Sequence, residues 1–402
     1  MAAPGNRKQL YTLLLITFIN LMGFGVVLPV FPFFGNLVEA SPAQTTLAMA
    51  AYSLGQFVGA PLWGKLSDRY GRRPILIFSL LGAMASYIIL AHATDIWVLG
   101  IARLVGGLMA GNIAAAFAYV GDITSPEDRP AAMGMIGAAF GLGFIFGPAI
   151  GGLIAGNNPD LADFAIIGYA SAAITGIAAL AAMALLPESL PPERRNQARA
   201  AAALTTGDVL RDKPIIWALM ALTLLVIGSA ALMESTFAFF TYDVFGWGPL
   251  HVGLSFAAIG LISAGLQGGA AGPLARRFGS ANVAIAGVAA HATGLGLFAV
   301  AGTEAVAIAG LVAMAVGLGL FNPAFQTLAS DQTSDADRGL VMGLTQGASS
   351  LGRVIGPAVA GSIYVGIGIH APFAIGAGVM LLALATAFIV AAKGKPPKGA
   401  TA

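Results

Sequence analysis

The chain has 402 residues, 57% of them hydrophobic and only 9% charged, with 54 glycines, no cysteine and a formal net charge of +2. Soluble globular chains carry about 25% charged residues, so this composition excludes a soluble domain and indicates a chain that crosses a membrane many times. The lack of cysteine excludes disulfides, thiol catalysis and thiolate metal sites, and four scattered histidines do not suggest a metal centre.

Arg7 and Lys8 precede an apolar run from Leu10 to about Phe34. The run is too long for a signal peptide and no small-residue cleavage site closes it, so it is predicted to be the first spanning helix. A span needs about 20 mostly apolar residues. Twelve are predicted, at 10–34, 44–63, 74–92, 96–120, 131–155, 164–186, 215–240, 250–272, 281–301, 304–329, 340–366 and 371–391. The one long polar segment, Pro187 to Pro214, separates the sixth from the seventh. It is expected to be a cytoplasmic linker holding one short amphipathic helix. The expected organisation is a six-helix bundle over 1–186, the linker over 187–213, a second six-helix bundle over 214–392 and a cytoplasmic tail over 393–402.

Charge placement supports the map. Of the 20 Lys and Arg, only Arg103 and Arg353 fall within spans. The rest fall at the N-terminus, in the loops after even-numbered spans, or in the tail. The opposite loops hold Glu39, Asp95, Asp160, Asp163, Asp243 and Glu304. An excess of Lys and Arg marks the cytoplasmic side, so both termini are predicted to be cytoplasmic, in a cell inner or plasma membrane.

The halves repeat each other. Asp122-Ile-Thr-Ser-Pro-Glu-Asp-Arg129 recurs as Asp331-Gln-Thr-Ser-Asp-Ala-Asp-Arg338, and each is followed by a matching glycine series (Gly134, Gly143, Gly147-Pro148; Gly343, Gly352, Gly356-Pro357). GKLSDRYGRR, from Gly64, recurs as GPLARRFGSA, from Gly272. Both halves start on the cytoplasmic side, so the repeats are parallel, and substrate sites in such proteins lie near the midplane between the halves.

In the fifth span, Gly143, Gly147 and Gly151 are spaced by four and line one helix face. Such a face lets another backbone approach closely, and Pro148 removes a backbone donor. Static packing and a moving interface both suit these residues. The loop Gly64-Lys-Leu-Ser-Asp68-Arg69-Tyr-Gly71-Arg72-Arg73 sets one carboxylate among four cations. Asp68 there can meet a helix N-terminus and an Arg at once, with Asp122 and Arg129 as expected partners. A purely topogenic basic loop leaves that fixed form unexplained.

These motifs resemble those of the major facilitator superfamily. The loop from Gly64 to Arg73 resembles its signature. Gly134, Gly143, Gly147, Pro148, Gly151 and Gly152 resemble the motif of its proton-coupled antiporters. Arg103-x2-Gly106-Gly107 resembles its helix-4 arginine motif, and Gly23-x-Gly25-x3-Pro29-x2-Pro32 the first-span signature of the twelve-helix drug:proton antiporters. The resemblance covers roughly residues 10 to 390 and is nearest to tetracycline efflux proteins and related multidrug exporters. It implies an all-α membrane protein with twelve transmembrane helices in two pseudo-symmetric six-helix bundles around a central cavity, working by alternating access. The match departs at Asn20, where tetracycline exporters carry an acid, which argues against tetracycline as substrate. It departs again at Arg276, which stands where the first loop copy has Asp68, so only the first copy can act as a gate latch.

Three ionisable residues lie within spans: Arg103, Glu234 and Arg353. Each costs roughly 2.5–3.5 kcal/mol at a helix centre on the insertion scale, and such residues mark functional sites by default. Glu234 is the candidate proton carrier, the other reading being a structural partner for an Arg. The resemblance implies a role in proton coupling or substrate contact for Arg103, whose alternative is outward snorkelling. Arg353 is a candidate partner of Glu234. Asn20, Gln56, Asn112, Asn322, Gln326 and Gln346 are candidates for lining the substrate cavity or for bonds between helices. Asp68, Arg72, Asp122 and Arg129 are expected to close the cytoplasmic gate.

The expected function is proton-driven export of lipophilic small molecules such as drugs. The partners are that substrate, protons and the bilayer, with no nucleic acid, metal or other cofactor, and a monomer is expected. No GxxxxGK[ST] loop is present, so ATP drive is not indicated. Alternatives are a symporter for sugars or organic anions, a lipid or siderophore transporter of the same fold, and an intramembrane enzyme or receptor-like scaffold. The last two find no HExxH, GxSxG or paired intramembrane Asp, and no soluble domain.

Overall fold

The computed structural model describes residues 4–125, 127–191, 214–333 and 338–393. The expected linker helix falls within 192–213, which lies outside the described residues, as do Ser334–Asp337 of the second repeat and the tail from residue 394.

Every regular element among the described residues is helical. The first half holds α1 (Pro4–Val27), α2 (Phe31–Leu37), α3 (Pro42–Tyr70), α4 (Arg72–Ala91), α5 (Ile96–Ala110), α6 (Ile113–Ile123), α7 (Arg129–Ala155) and α8 (Leu161–Leu185). The second holds α9 (Pro214–Phe245), α10 (Pro249–Gly265), a π-helical turn (Leu266–Ala270), α11 (Ala271–Phe278), α12 (Ser280–Ala299), α13 (Glu304–Asp331), α14 (Arg338–Gly366) and α15 (Ala371–Lys393). Counting α1–α2, α5–α6 and α10–α11 as interrupted single spans, these are the twelve expected from sequence. Ten are long and apolar enough to cross a membrane. The other two, α3 and α14, are 29 residues each but carry polar residues such as Gln56, Asp68, Gln346 and Arg353.

The acids of the loops without Lys or Arg do local work. Asp95 caps α5 by accepting from the N–H groups of Trp97 and Val98, at 2.8 and 3.0 Å. Asp160 and Asp163 form a reciprocal capping box at α8, and Ser41 and Gln44 form one at α3. Each satisfies amide donors that a helix start leaves open. On the other side a single glycine turns the chain between helices in both repeats: Gly71 (φ 105°) between α3 and α4, and Gly279 (φ 83°) between α11 and α12. That left-handed backbone explains why the two loop copies share this glycine although their charges differ.

The described residues divide into two compact units, one within Met1–Leu204 and Phe237–Gly260, the other within Thr205–Thr236 and Leu261–Ala402. The first is filled by two apolar clusters, one around Leu13, Leu80, Tyr119 and Ile136, the other around Val27, Phe34, Leu99 and Phe164. In the second, α12 and α13 meet backbone to backbone at Gly287–Gly317 and Gly294–Gly310. Lipid supplies no hydrophobic drive for helix pairing, so close van der Waals contact through small residues must supply it.

Candidate functional site

In the first unit the turn at Gly71 places Arg72 at the start of α4 and nearly buries it. Its Nη1 donates to Asp68 Oδ1 at 2.5 Å and to Ser67 Oγ at 2.7 Å, and its Nε donates to Asp122 Oδ2 at 3.1 Å. One guanidinium thus ties the end of α3 to the end of α6. Arg129 stays outside this cluster; its Nη2 donates to the Gly121 carbonyl at 3.0 Å. Arg69 is exposed and lies over the Tyr70 ring, 5.2 Å from its centroid. Gly64 makes only ordinary contact with Ala114.

The cluster has a further member at the start of the expected linker. Glu188 accepts from the backbone N–H of Arg72 at 2.8 Å, Arg73 at 3.2 Å and Leu190 at 2.9 Å. It, rather than Asp68, is the carboxylate at a helix N-terminus. Ser189 Oγ donates to the same Asp122 oxygen that Arg72 holds, at 3.0 Å, and the Tyr119 hydroxyl donates to the Pro187 carbonyl at 2.8 Å. Residues 187–190 therefore complete the cluster. The available signal was an acid immediately after a span in Pro-Glu-Ser-Leu, but it lies more than a hundred residues from the α4 N–H groups it binds.

The fifth-span glycines pack as their spacing predicts. Side chains at Gly143, Gly147 and Gly151 would run into Leu21, Gly25 and Val26 of α1. Gly152 and the Pro148 carbonyl face Pro249, Leu250 and Gly253 of the same unit, while the Pro148 ring also meets Gly25 of α1. Gly134 has no atom within 4 Å of where its Cβ would be. The second unit repeats the device: Gly352 and Gly356 of α14 press on Leu224, Gly228 and Leu232 of α9.

Arg103 on α5 is 4% exposed and sits among aromatic rings. Its guanidinium carbon lies 4.3 Å from the Tyr52 centroid, 5.0 Å from Phe31 and 5.5 Å from Phe24. Its Nε has no hydrogen-bond partner, and no carboxylate pairs with it among the described residues. The following Gly106-Gly107 explains the cage: a side chain at Gly107 would run into the Tyr52 carbonyl, so α5 and α3 approach closely there. Ring faces attract a cation and offset part of its burial cost. Beside the cage is a cavity of about 20 Å³ lined by Asn20, Phe24, Tyr52, Gln56 and Tyr87, room for one water. Asn20 and Gln56 therefore meet at one site. Asn112 instead donates to Ser79 Oγ at 2.8 Å, linking the start of α6 to α4.

In the second unit Glu234 of α9 is half-buried and Arg353 of α14 is exposed. The two form no direct ion pair. The close contact of α14 with α9 at Gly352 and Gly356 brings them within electrostatic reach. Gln326 and Gln346 are exposed and Asn322 is half-buried.

The chain resembles known proteins over nearly its whole length. The profile of the Major Facilitator Superfamily matches residues 13–290 and 268–402. The chain is 34% identical over 363 residues to the tetracycline resistance protein, class C, of Escherichia coli, covering 89% of this chain and 90% of that protein. It is 27% identical over 386 residues to multidrug resistance protein 2 of Bacillus subtilis (strain 168), covering 94% of each. Among solved structures, the human organic anion transporter MFSD10 (TETRAN) matches with a TM-score of 0.70 and 26% identity, over 96% of this chain and 100% of that one. Twelve helices, a duplicated glycine-and-charge pattern and these matches lead to one conclusion: the chain belongs to the Major Facilitator Superfamily and is a multi-pass membrane transporter of small molecules, not an enzyme.

Proposed function

We propose that the protein is a proton-coupled antiporter that exports lipophilic small molecules by alternating access, with residues 1–186 and 214–392 as its two repeated halves and both termini in the cytoplasm. The observation that carries this reading is Glu234, a half-buried acid within a span that forms no ion pair with Arg353 of the neighbouring α14. A carboxyl held near a cation but not locked to it can exchange a proton without first breaking an ion pair. Similarity to tetracycline and multidrug resistance proteins supports export as the direction. The Asp68–Arg72–Asp122 cluster serves as the latch, and the glycine face of α7 as a bearing surface. The drive suffices: one proton entering down about 150 mV releases roughly 3.5 kcal/mol, and one pH unit adds about 1.4.

Arg103 favours a second reading, export of organic anions. A buried cation without a counter-ion is costly, and an anionic cargo would supply one. The solved relative that transports organic anions is consistent with it.

Proteoliposomes with an imposed pH gradient, screened with drugs, lipids, sugars, siderophores and organic anions, test both. Glu234→Gln is expected to insert and to exchange substrate across the membrane but to lose acceleration by the gradient. Full gradient-driven transport by that variant would remove the coupling role. A cargo spectrum confined to anions would favour the second reading.

A further inference from the structure

A groove of about 400 Å³ opens where the first turns of α1 and α4 meet the last turn of α8, lined by Lys8, Gln9, Arg73 and the stretch Ala184–Pro187. Its two cations come from different helices, and neither forms an ion pair among the described residues. Lys8 is exposed. Arg73 is half-buried and held in place, with its Nη2 donating to the Met183 carbonyl at 2.6 Å and its Nε buried without a partner. The neighbouring acid does not neutralise them by direct pairing, because both Glu188 oxygens are taken by backbone N–H groups.

Away from the cations the surface is apolar and outward-facing. Leu185, Leu180 and Ile177 are exposed along α8, and Tyr11 and Leu15 along α1, one and two turns beyond Lys8. A positive notch at the end of the helices, continued by exposed apolar walls, matches a phospholipid: acid group at the surface, chains along the bundle. Basic pockets between transmembrane helices bind anionic headgroups in this way. A soluble phosphate would use the cations and leave the walls without a role.

We propose that this groove is a binding site for an anionic phospholipid, whose headgroup phosphate lies between Lys8 and Arg73 and whose acyl chains follow α1 and α8. The site is independent of the transported substrate and of the direction of transport. Its occupant touches the residue next to Arg72, so it also steadies the start of α4.

The test uses the purified full chain in detergent, titrated with phosphatidylglycerol or phosphatidylcholine, with binding read by native mass spectrometry and by thermal shift. Phosphatidylglycerol is expected to bind and raise the melting temperature more than phosphatidylcholine does. Lys8→Ala should weaken it about fivefold, and Lys8→Glu further. Lys65→Glu, the same charge change at an exposed lysine outside the groove, should bind like wild type. Equal binding of both lipids, or equal loss in the Lys8 and Lys65 variants, would overturn the proposal. Displacement of the lipid by glycerol phosphate at equal concentration would also overturn it, by showing a soluble-phosphate site.

Discussion

Arg72 is the most densely bonded cation among the described residues, and its neighbours decide how costly each substitution is. It is nearly buried, whereas Asp68 and Asp122 are about one-third and one-fifth exposed (33% and 22%). Breaking one pair therefore leaves a largely desolvated guanidinium with one carboxylate instead of two. Asp68→Asn should still insert but weaken the proposed latch, so that transport in the proton-gradient vesicles falls. Glu188→Ala should be felt as stability, since it leaves backbone donors at the start of α4 unpartnered, at about 1–3 kcal/mol. Its melting temperature in detergent should fall, and Glu188→Gln, which keeps one acceptor oxygen, should lie between. An unchanged melting temperature for Glu188→Ala would show that the clamp holds nothing. At this scale the sequence was legible in part. Asp68 and Arg72 could be grouped because their motif is local, and Asp122 joined them because it ends a span on the same expected side. Glu188 and the rings around Arg103 could not, because their partners lie tens to more than a hundred residues away and no spacing rule connects them.

Among the elements, α7 makes the sharpest prediction, because its glycines are unequal. A side chain at Gly147 would place its Cβ 2.6 Å from Gly25 Cα of α1, where there is no flexible side chain to give way. Gly147→Val should therefore lose most folded protein in a fluorescence-detected size-exclusion assay. Gly134→Ala meets nothing within 4 Å and should fold at least as well as wild type, since alanine favours a helix by about 1 kcal/mol. Should both variants behave alike, close packing would not be the purpose of the series. The four-residue spacing announced a close-packing face, and the face exists. Which helix it would meet was not written in α7, because a smooth stripe accepts any equally smooth partner. Gly25 and Val26 of α1 supply that partner. The interruption between α5 and α6 was likewise hidden, since Gly111 there is required by the approach of Gly59 and Ala60 on α3.

For the whole molecule, the expected outcome is that tags at the two termini react with an impermeant reagent only after the cell membrane is opened. Reaction of one tag alone in intact cells would refute an even number of spans. Span number and duplication could be read from the chain by itself, and a sidedness could be expected from it, because each rests on sums over many residues. Hydropathy accumulates over about 20 positions, and the Lys and Arg count over every loop, so single errors average out. Tertiary structure decided what rests on one atom meeting another: that Glu188 caps α4, that Arg129 turns to a carbonyl, that Arg103 is enclosed by rings rather than paired, and that Glu234 stands near Arg353 without joining it. Lipid demands only that a span be apolar and its backbone bonded, which composition can satisfy. Which polar side chain finds which partner depends on how helices distant in sequence approach, and only the folded chain sets that distance.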